Sequence, residues 1–193
     1  MLVAALAAGG LAFFAYQLAQ RRPSTSDVAM PTFGDFVVDT TAGPLALSDL
    51  KGKVVVVYFG FASCPDICPT TLRTVGTALD SLSEDQLAQV AGLFVSLDPD
   101  RDSLTRLDEY ARFFHPQIRG GTTDERTLAT IGGDWGVHWE KVKGASAAMA
   151  YTVDHTSILF LVGPSGSMRK AVRHGSSPEL LAEEIRSVLA QGT

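Results

Sequence analysis

A central sheet covered on both faces by helices, an α/β domain, is what this sequence predicts, and three observations carry the prediction. Residues 54–59, Val-Val-Val-Val-Tyr-Phe, form an apolar run with no alternation, as expected of a strand buried on both sides. Strand-like and helix-periodic segments then alternate along the chain. A segment holding both cysteines of the chain stands where that apolar strand meets the first helix, the place where open α/β sheets form their sites.

The elements follow in order. Phe36-Val37-Val38 and Leu45-Ala46-Leu47 flank Thr41-Ala42-Gly43-Pro44 and read as a small N-terminal hairpin leading into the domain. Gly52-Lys53 opens the apolar strand, which ends at Gly60. From residue 69 to about 82, Leu72, Val75, Leu79 and Leu82 recur at helical spacing, and Pro69 suits a first helical turn. Residues 93–97 make a second strand, stopped by Asp98-Pro99-Asp100. A helix starts at Ser103 and runs to about Phe114, and a third helical segment covers roughly residues 124–131. Residues 137–142 are strand-like, and the plain stretch from Gly120 to Ala150 yields little else. Residues 156–162 and 168–173 form a hairpin around Gly163-Pro164-Ser165-Gly166. Ser176 or Ser177 caps the last helix, with Pro178 in its first turn and Leu180, Leu181, Ile185, Val188 and Leu189 as its core stripe. This order is a thioredoxin-like α/β layout.

Ahead of the domain, residues 2–19 carry only one strongly polar side chain, Gln17, and stop at Arg21-Arg22. As a helix the run would span roughly 27 Å, against about 30 Å for a bilayer core. We therefore expect one transmembrane helix as a membrane anchor over residues 1–22, a Ser/Thr/Pro-rich linker over 23–31, and a single domain over 32–193. A cleavable secretory signal is the rival reading, disfavoured by the missing basic start and the lack of a small-x-small cleavage site. The positive-inside rule would put Arg21-Arg22 on the cytoplasmic side. The chain has 193 residues, 46% hydrophobic and 19% charged, with a net charge of -5. That composition excludes a disordered chain, and its sign argues against a nucleic-acid binder that neutralises phosphates. Two cysteines are too few for a disulfide scaffold or a four-cysteine zinc site, so they work as a pair or not at all.

The pair lies in Cys64-Pro65-Asp66-Ile67-Cys68-Pro69. A thiol at a helix N-terminus has its thiolate stabilised by unpaired N–H groups and the helix dipole. Both redox chemistry and soft-metal binding use such a thiolate. Three residues separate these cysteines, whereas thioredoxin-type oxidoreductases carry two. Helical residues four apart have Cβ atoms about 5 to 6 Å apart, while a relaxed disulfide wants about 3.5 to 4.5 Å. Spacing therefore favours a metal, although Pro69 is expected to push Cys68 out of helical geometry, which keeps a disulfide feasible. Two thiolates suit Cu(I), Zn(II) or iron–sulfur chemistry, and a cupric site adds imidazole. Of four histidines, His155 is the best candidate, because it leads into the apolar strand expected beside the cysteine loop. Oxidoreductases of this layout usually place a proline there, and none occurs between residues 145 and 163. Asp66 and Asp154 are candidate supporting groups, Asp154 as an orienter of the His155 ring. Without the cysteines, His155 would read as an ordinary strand-edge histidine. His115, His138 and His174 read as structural or solvated. Two inert buried thiols are the bland reading of the pair, which the prolines and Asp66 around them argue against.

At these residues the sequence resembles the Sco/SenC family, membrane-anchored thioredoxin-like copper proteins needed to assemble the CuA centre of cytochrome c oxidase. The cysteine segment fits that family's cysteine motif. Asp154-His155-Thr156-Ser157 with Phe160-Leu161-Val162-Gly163-Pro164 fits its histidine segment. Ser96-Leu97-Asp98-Pro99-Asp100-Arg101-Asp102 and Phe113-Phe114-His115-Pro116 look like two further signatures. The resemblance implies copper, as Cu(I) and also Cu(II), held by Cys64, Cys68 and His155. It implies a chaperone that delivers copper to subunit II of cytochrome c oxidase, at its CuA domain, or reduces the cysteines there. A thioredoxin-like reductant or another periplasmic copper chaperone would be a further partner. The domain would face the periplasm from a bacterial inner membrane, or the intermembrane space in mitochondria. The alternative is a membrane-anchored thiol–disulfide reductase in which His155 is incidental. A peroxiredoxin-type peroxidase ranks third, because Phe61 stands where such enzymes keep a threonine.

Overall fold

Strand β3, Val54–Gly60, is buried at every position, and the rest of the domain is arranged around it. The computed structural model describes residues 33–146 and 149–192. The expected anchor and linker lie outside these, and no helix among the described residues is long and apolar enough to cross a membrane. Before β3 come β1, Val37–Thr40, and β2, Gly43–Ala46, which pair antiparallel as the predicted hairpin. After it come helix α1, Ile67–Asp80, the single turn α2, Glu84–Leu87, and strand β4, Val90–Ser96. Next are α3, Leu104–Phe114, β5, Ile118–Gly121, α4, Glu125–Trp135, and the strand pair β6, Trp139–Ser146, and β7, Met149–His155. Strands β8, Ile158–Val162, and β9, Met168–Arg173, precede the closing helix α5, Pro178–Ala190.

Five strands form the main sheet in the order β5-β4-β3-β8-β9. β3, β4 and β5 are parallel, while β8 runs antiparallel to β3, with Tyr58 opposite Leu159. The start of β8 therefore lies beside the end of β3, so the two chain segments that carry chemistry meet at one edge of the sheet. Residues of β3 alternate between two cores, because successive side chains point to opposite faces. Val54, Val56 and Tyr58 pack with Leu72, Val75 and Leu79 of α1, Leu107 of α3, and Leu181 and Ile185 of α5. Val55, Val57 and Phe59 pack with Phe36 of the N-terminal segment, Leu128, Ile131 and Trp135 of α4, and Phe160. Cys68 belongs to the first core.

Caps fix the helix starts. Ser103 accepts from Arg106 N–H, Ser177 accepts from Leu180 N–H, and Asp124 accepts from the N–H groups of Arg126 and Thr127, each satisfying donors that a first turn leaves unpaired. Helix α4 runs one turn beyond its predicted end, to Trp135, and stops at Gly136 with φ of 64°. Strand β5 is not foreseen by the sequence, since Ile-Arg-Gly-Gly has weak strand propensity. Its glycine is there for space: a Cβ on Gly120 would stand 2.2 Å from the Leu107 carbonyl oxygen.

Two predicted boundaries change near the site. The strand-like segment at 137–142 is the first half of a longer hairpin whose return strand, β7, is unforeseen; Trp139 pairs with His155 and Glu140 with Asp154. His155 is therefore the last residue of β7, and it leads into β8 across Thr156-Ser157 as predicted. Pro69 does not push Cys68 out of helical geometry, and Cys68 sits in the first turn of α1. At that depth a proline has no intrahelical N–H bond to lose.

Candidate metal centre

The three sequence-predicted residues Cys64, Cys68 and His155 come together where β3 ends. Cys64 is on the loop after β3 and half-buried, and Cys68 is fully buried; both are free thiols. The Cys68 backbone N–H points at the Cys64 sulfur at 3.4 Å, so the start of α1 folds over that atom. Gly60 allows Cys68 to lie so deep, for a Cβ there would meet the Cys68 sulfur at 2.8 Å. From above, His155 Nε2 stands 3.5 Å from the Cys68 sulfur. Its ring is edged by Tyr58 and Phe61, with centroids 6.2 and 6.0 Å away.

The imidazole is oriented by its other nitrogen. Nδ1 lies 3.0 Å from the Thr156 carbonyl oxygen, which can only accept, so the hydrogen bond assigns the proton to Nδ1. Nε2 is left facing the sulfur. Asp154 does not take this role, because its neighbour position on β7 turns it to the opposite side, where it is exposed. Asp66 is also exposed and accepts from Thr70 Oγ1 at 3.4 Å, at the foot of α1. Of the other histidines, His115 is buried beside Asp80, and burial depresses its pKa. His138 is exposed, and His174 contacts Thr71 Oγ1 at 2.8 Å.

The two thiols are made unequal. A hydrogen bond from Cys68, helped by His155 and by backbone N–H groups of Cys68 and Asp66, holds the Cys64 pKa far below the usual thiol range despite burial. The same bond, with Cys64 as thiolate, pushes the Cys68 pKa upward, and burial adds to that. Tyr58, whose phenol is kept protonated chiefly by burial, points its OH at the Cys68 sulfur at 3.7 Å. Because the Cys64 shift is downward, its thiolate persists as pH falls, whereas an ordinary thiol with a pKa of about 8.5 loses thiolate about tenfold per pH unit. In the reduced protein we expect the Cys64 alkylation rate by iodoacetamide to stay nearly flat from pH 8 to 5, with Cys68 at least about tenfold slower. Peptide mapping of the alkylated protein checks this, and equal labelling of the two cysteines would overturn the assignment.

One supporting group escaped the sequence reading. Asp102 is buried and its Oδ2 accepts from Ala62 N–H at 2.8 Å and from Ser96 Oγ at 2.6 Å, pinning the loop that carries Cys64. Its partner lies 40 residues away, so no local signal reveals the bond. The donor set of two sulfurs and one neutral imidazole nitrogen is a soft one that fits copper in its cuprous form, with the imidazole also serving the cupric form. Among the described residues no group of three His, Cys, Asp or Glu side chains already stands as a closed ligand set. The Cys68 and His155 donor atoms at 3.5 Å are close enough to share an ion after small side-chain shifts.

Fold and site together define a thioredoxin-like protein whose paired cysteines face a histidine. The chain belongs to the SCO1/SenC family, whose family model matches residues 25–190. It is 34% identical over 155 residues to a SCO2-like protein of Rickettsia conorii, covering 80% of this chain and 75% of that one. Among solved structures, Arabidopsis thaliana ScoI with copper bound superposes with a TM-score of 0.75 at 28% identity, over 82% of this chain and 98% of that one. BsSco, described as a member of the Sco family of cytochrome c oxidase assembly proteins and as holding a disulfide switch, shares the fold with a TM-score of 0.63 at 21% identity, over 85% of this chain and 96% of that one.

Proposed function

We propose that this protein is a copper chaperone of cytochrome c oxidase assembly, binding copper through Cys64, Cys68 and His155 and passing it to the CuA site of subunit II. The observation that carries the reading is His155 Nε2 standing 3.5 Å from the sulfur of Cys68 while Nδ1 is bound to the Thr156 carbonyl. Arabidopsis ScoI, of the same family and fold, was solved with copper. Three donors leave an ion such as Cu(I) open to a further ligand, so an acceptor cysteine or histidine can take copper by ligand exchange without its release to water. The predicted anchor would hold the domain at the outer face of a bacterial inner membrane, or in the mitochondrial intermembrane space, beside the oxidase.

Copper titration of the reduced protein with and without His155→Ala tests the reading. Wild type is expected to bind one copper, with thiolate-to-metal charge transfer in the cupric form, and the variant to bind at least about a hundredfold more weakly, since one ligand contributes roughly 3 kcal/mol. Equal affinities would sink it. A second reading, reduction of the cysteines of subunit II, is favoured by the unequal thiols: Cys64 is the half-buried thiolate that attacks and Cys68 the buried thiol that resolves. It predicts that His155→Ala leaves disulfide reduction intact while Cys64→Ser abolishes it.

A further inference from the structure

The hairpin β6–β7 carries His155, yet it is a separate two-stranded sheet and shares no ladder with the five-stranded sheet that positions the cysteines. Among the described residues its polar attachments to the rest of the domain are made by side chains. We infer that Asp98, Arg101 and Tyr151 are positioning residues that clamp this hairpin and so set His155 against Cys68. This deepens the proposed copper-binding role and rests on it for its metal arm only.

The geometry is specific. Asp98 follows β4 and is fully buried. One carboxylate oxygen accepts from Arg101 Nε, and the other accepts from the Tyr151 hydroxyl at 2.6 Å. Arg101 then donates from Nη1 to the Tyr151 carbonyl oxygen at 2.9 Å and lays its guanidinium 3.8 Å from the centre of the Tyr151 ring. Tyr151 is thus held by its ring, its hydroxyl and its backbone. Tyr151, Val153 and His155 share one face of β7, because alternate strand residues point the same way, and Val153 is buried in the core that contains Cys68. A strand fixed at Tyr151 and seated at Val153 delivers His155 at a defined height. Arg101 also lies 5.9 Å from the ring of Phe61, the ring whose neighbour is the His155 imidazole. The clamp therefore touches both the strand that bears the ligand and the aromatic wall behind it.

An ion pair on a buried carboxylate could serve stability alone, so the test must move His155 without loosening the core. Tyr151→Phe keeps the ring and its stacking and removes only the hydroxyl bond to Asp98. Arg101→Lys keeps the charge and removes the fork and the flat face. Both are made in the full chain. In the metal-free variants, hydrogen exchange at Val153 and His155 is expected to quicken at least about tenfold while Val56 and Val57 of β3 keep wild-type rates. With copper, Cu(I) affinity should fall about 10- to 100-fold, the usual effect of losing a group that orients a ligand, and the histidine nitrogen signature of the cupric form should weaken. Wild-type exchange in the hairpin together with affinity within twofold of wild type overturns the inference, and so does loosening spread equally over β3. If wild type itself takes up no copper, the copper reading falls, and the exchange data on the metal-free protein still decide for or against the clamp.

Discussion

Replacing both Cys64 and Cys68 by serine should abolish tight Cu(I) binding, lowering affinity by at least about ten-thousandfold. The magnitude follows from structural zinc sites, where four ligands together contribute about 10 to 16 kcal/mol, so two thiolates account for roughly 5 to 8. Serine preserves size but offers a hard, protonated oxygen to a soft ion. The single variants should differ from each other. Cys64→Ser removes the accessible thiolate and leaves Cys68, whose pKa is raised by its bond to Cys64 and by burial. Cys68→Ser places a hydroxyl in a fully buried position beside Tyr58 OH, where it can still accept a hydrogen bond. We therefore expect Cys64 to retain its alkylation in Cys68→Ser, with a higher pKa because the hydrogen bond that most depresses it comes from Cys68. Competition against a Cu(I) chelator measures the affinities, and residual tight binding in the double variant would show that other groups hold the metal.

Trp135→Ala should be the most damaging substitution for stability and should leave the site untouched. Trp135 ends α4, is 2% exposed, and donates from Nε1 to the Gly34 carbonyl oxygen at 3.0 Å. Its ring lies 5.3 Å from Phe36, 5.8 Å from Phe59 and 5.3 Å from Phe160, so it joins the N-terminal segment, β3 and β8 on the face of the sheet opposite Cys68. Truncating such a residue costs about 3 to 5 kcal/mol, which for a domain of this size lowers Tm by roughly 6 to 20 °C. Copper affinity well below Tm should match wild type, because the site packs with the other core. A melting point within about 3 °C of wild type would contradict the packing argument, and a loss of affinity would show that the two faces are not independent.

How legible these features are in the sequence depends on the range of the interaction behind them. Strand β3 and helices α1 and α5 announce themselves through local periodicity: Leu72, Val75 and Leu79 of α1 and Leu181, Ile185 and Val188 of α5 are buried as predicted, whereas Leu180, read as part of the α5 core stripe, is exposed in the first turn. The cysteine segment is local as well, so Cys64 and Cys68 can be found from spacing and flanking prolines alone. His155 is found by elimination and by resemblance, and its place at the end of β7 is missed because Met-Ala-Tyr-Thr-Val-Asp-His has neither an apolar run nor a turn signal before it. The orientation of its ring depends on the carbonyl of Thr156, a backbone group that sequence does not distinguish. Asp98, Arg101 and Asp102 are visible as a motif, yet their partners Tyr151 and Ala62 lie 53 and 40 residues away. Charge and polarity in a loop say that such residues have partners, and only the fold says which.

Cys68 and His155 are 87 residues apart in the chain. In the unfolded chain the two thiols are neighbours, but bringing the imidazole to them means closing that long loop, with an entropic cost that grows with the logarithm of its length. The complete donor set is therefore a property of the native state. Any metal that binds all three groups adds its free energy to folding, about 2.7 kcal/mol when present at a hundred times its dissociation constant. A protein loaded with such a metal would open less often to proteases than the empty one. On the proposed copper-binding reading, metal supply would then bear on how long the protein lasts as well as on what it carries.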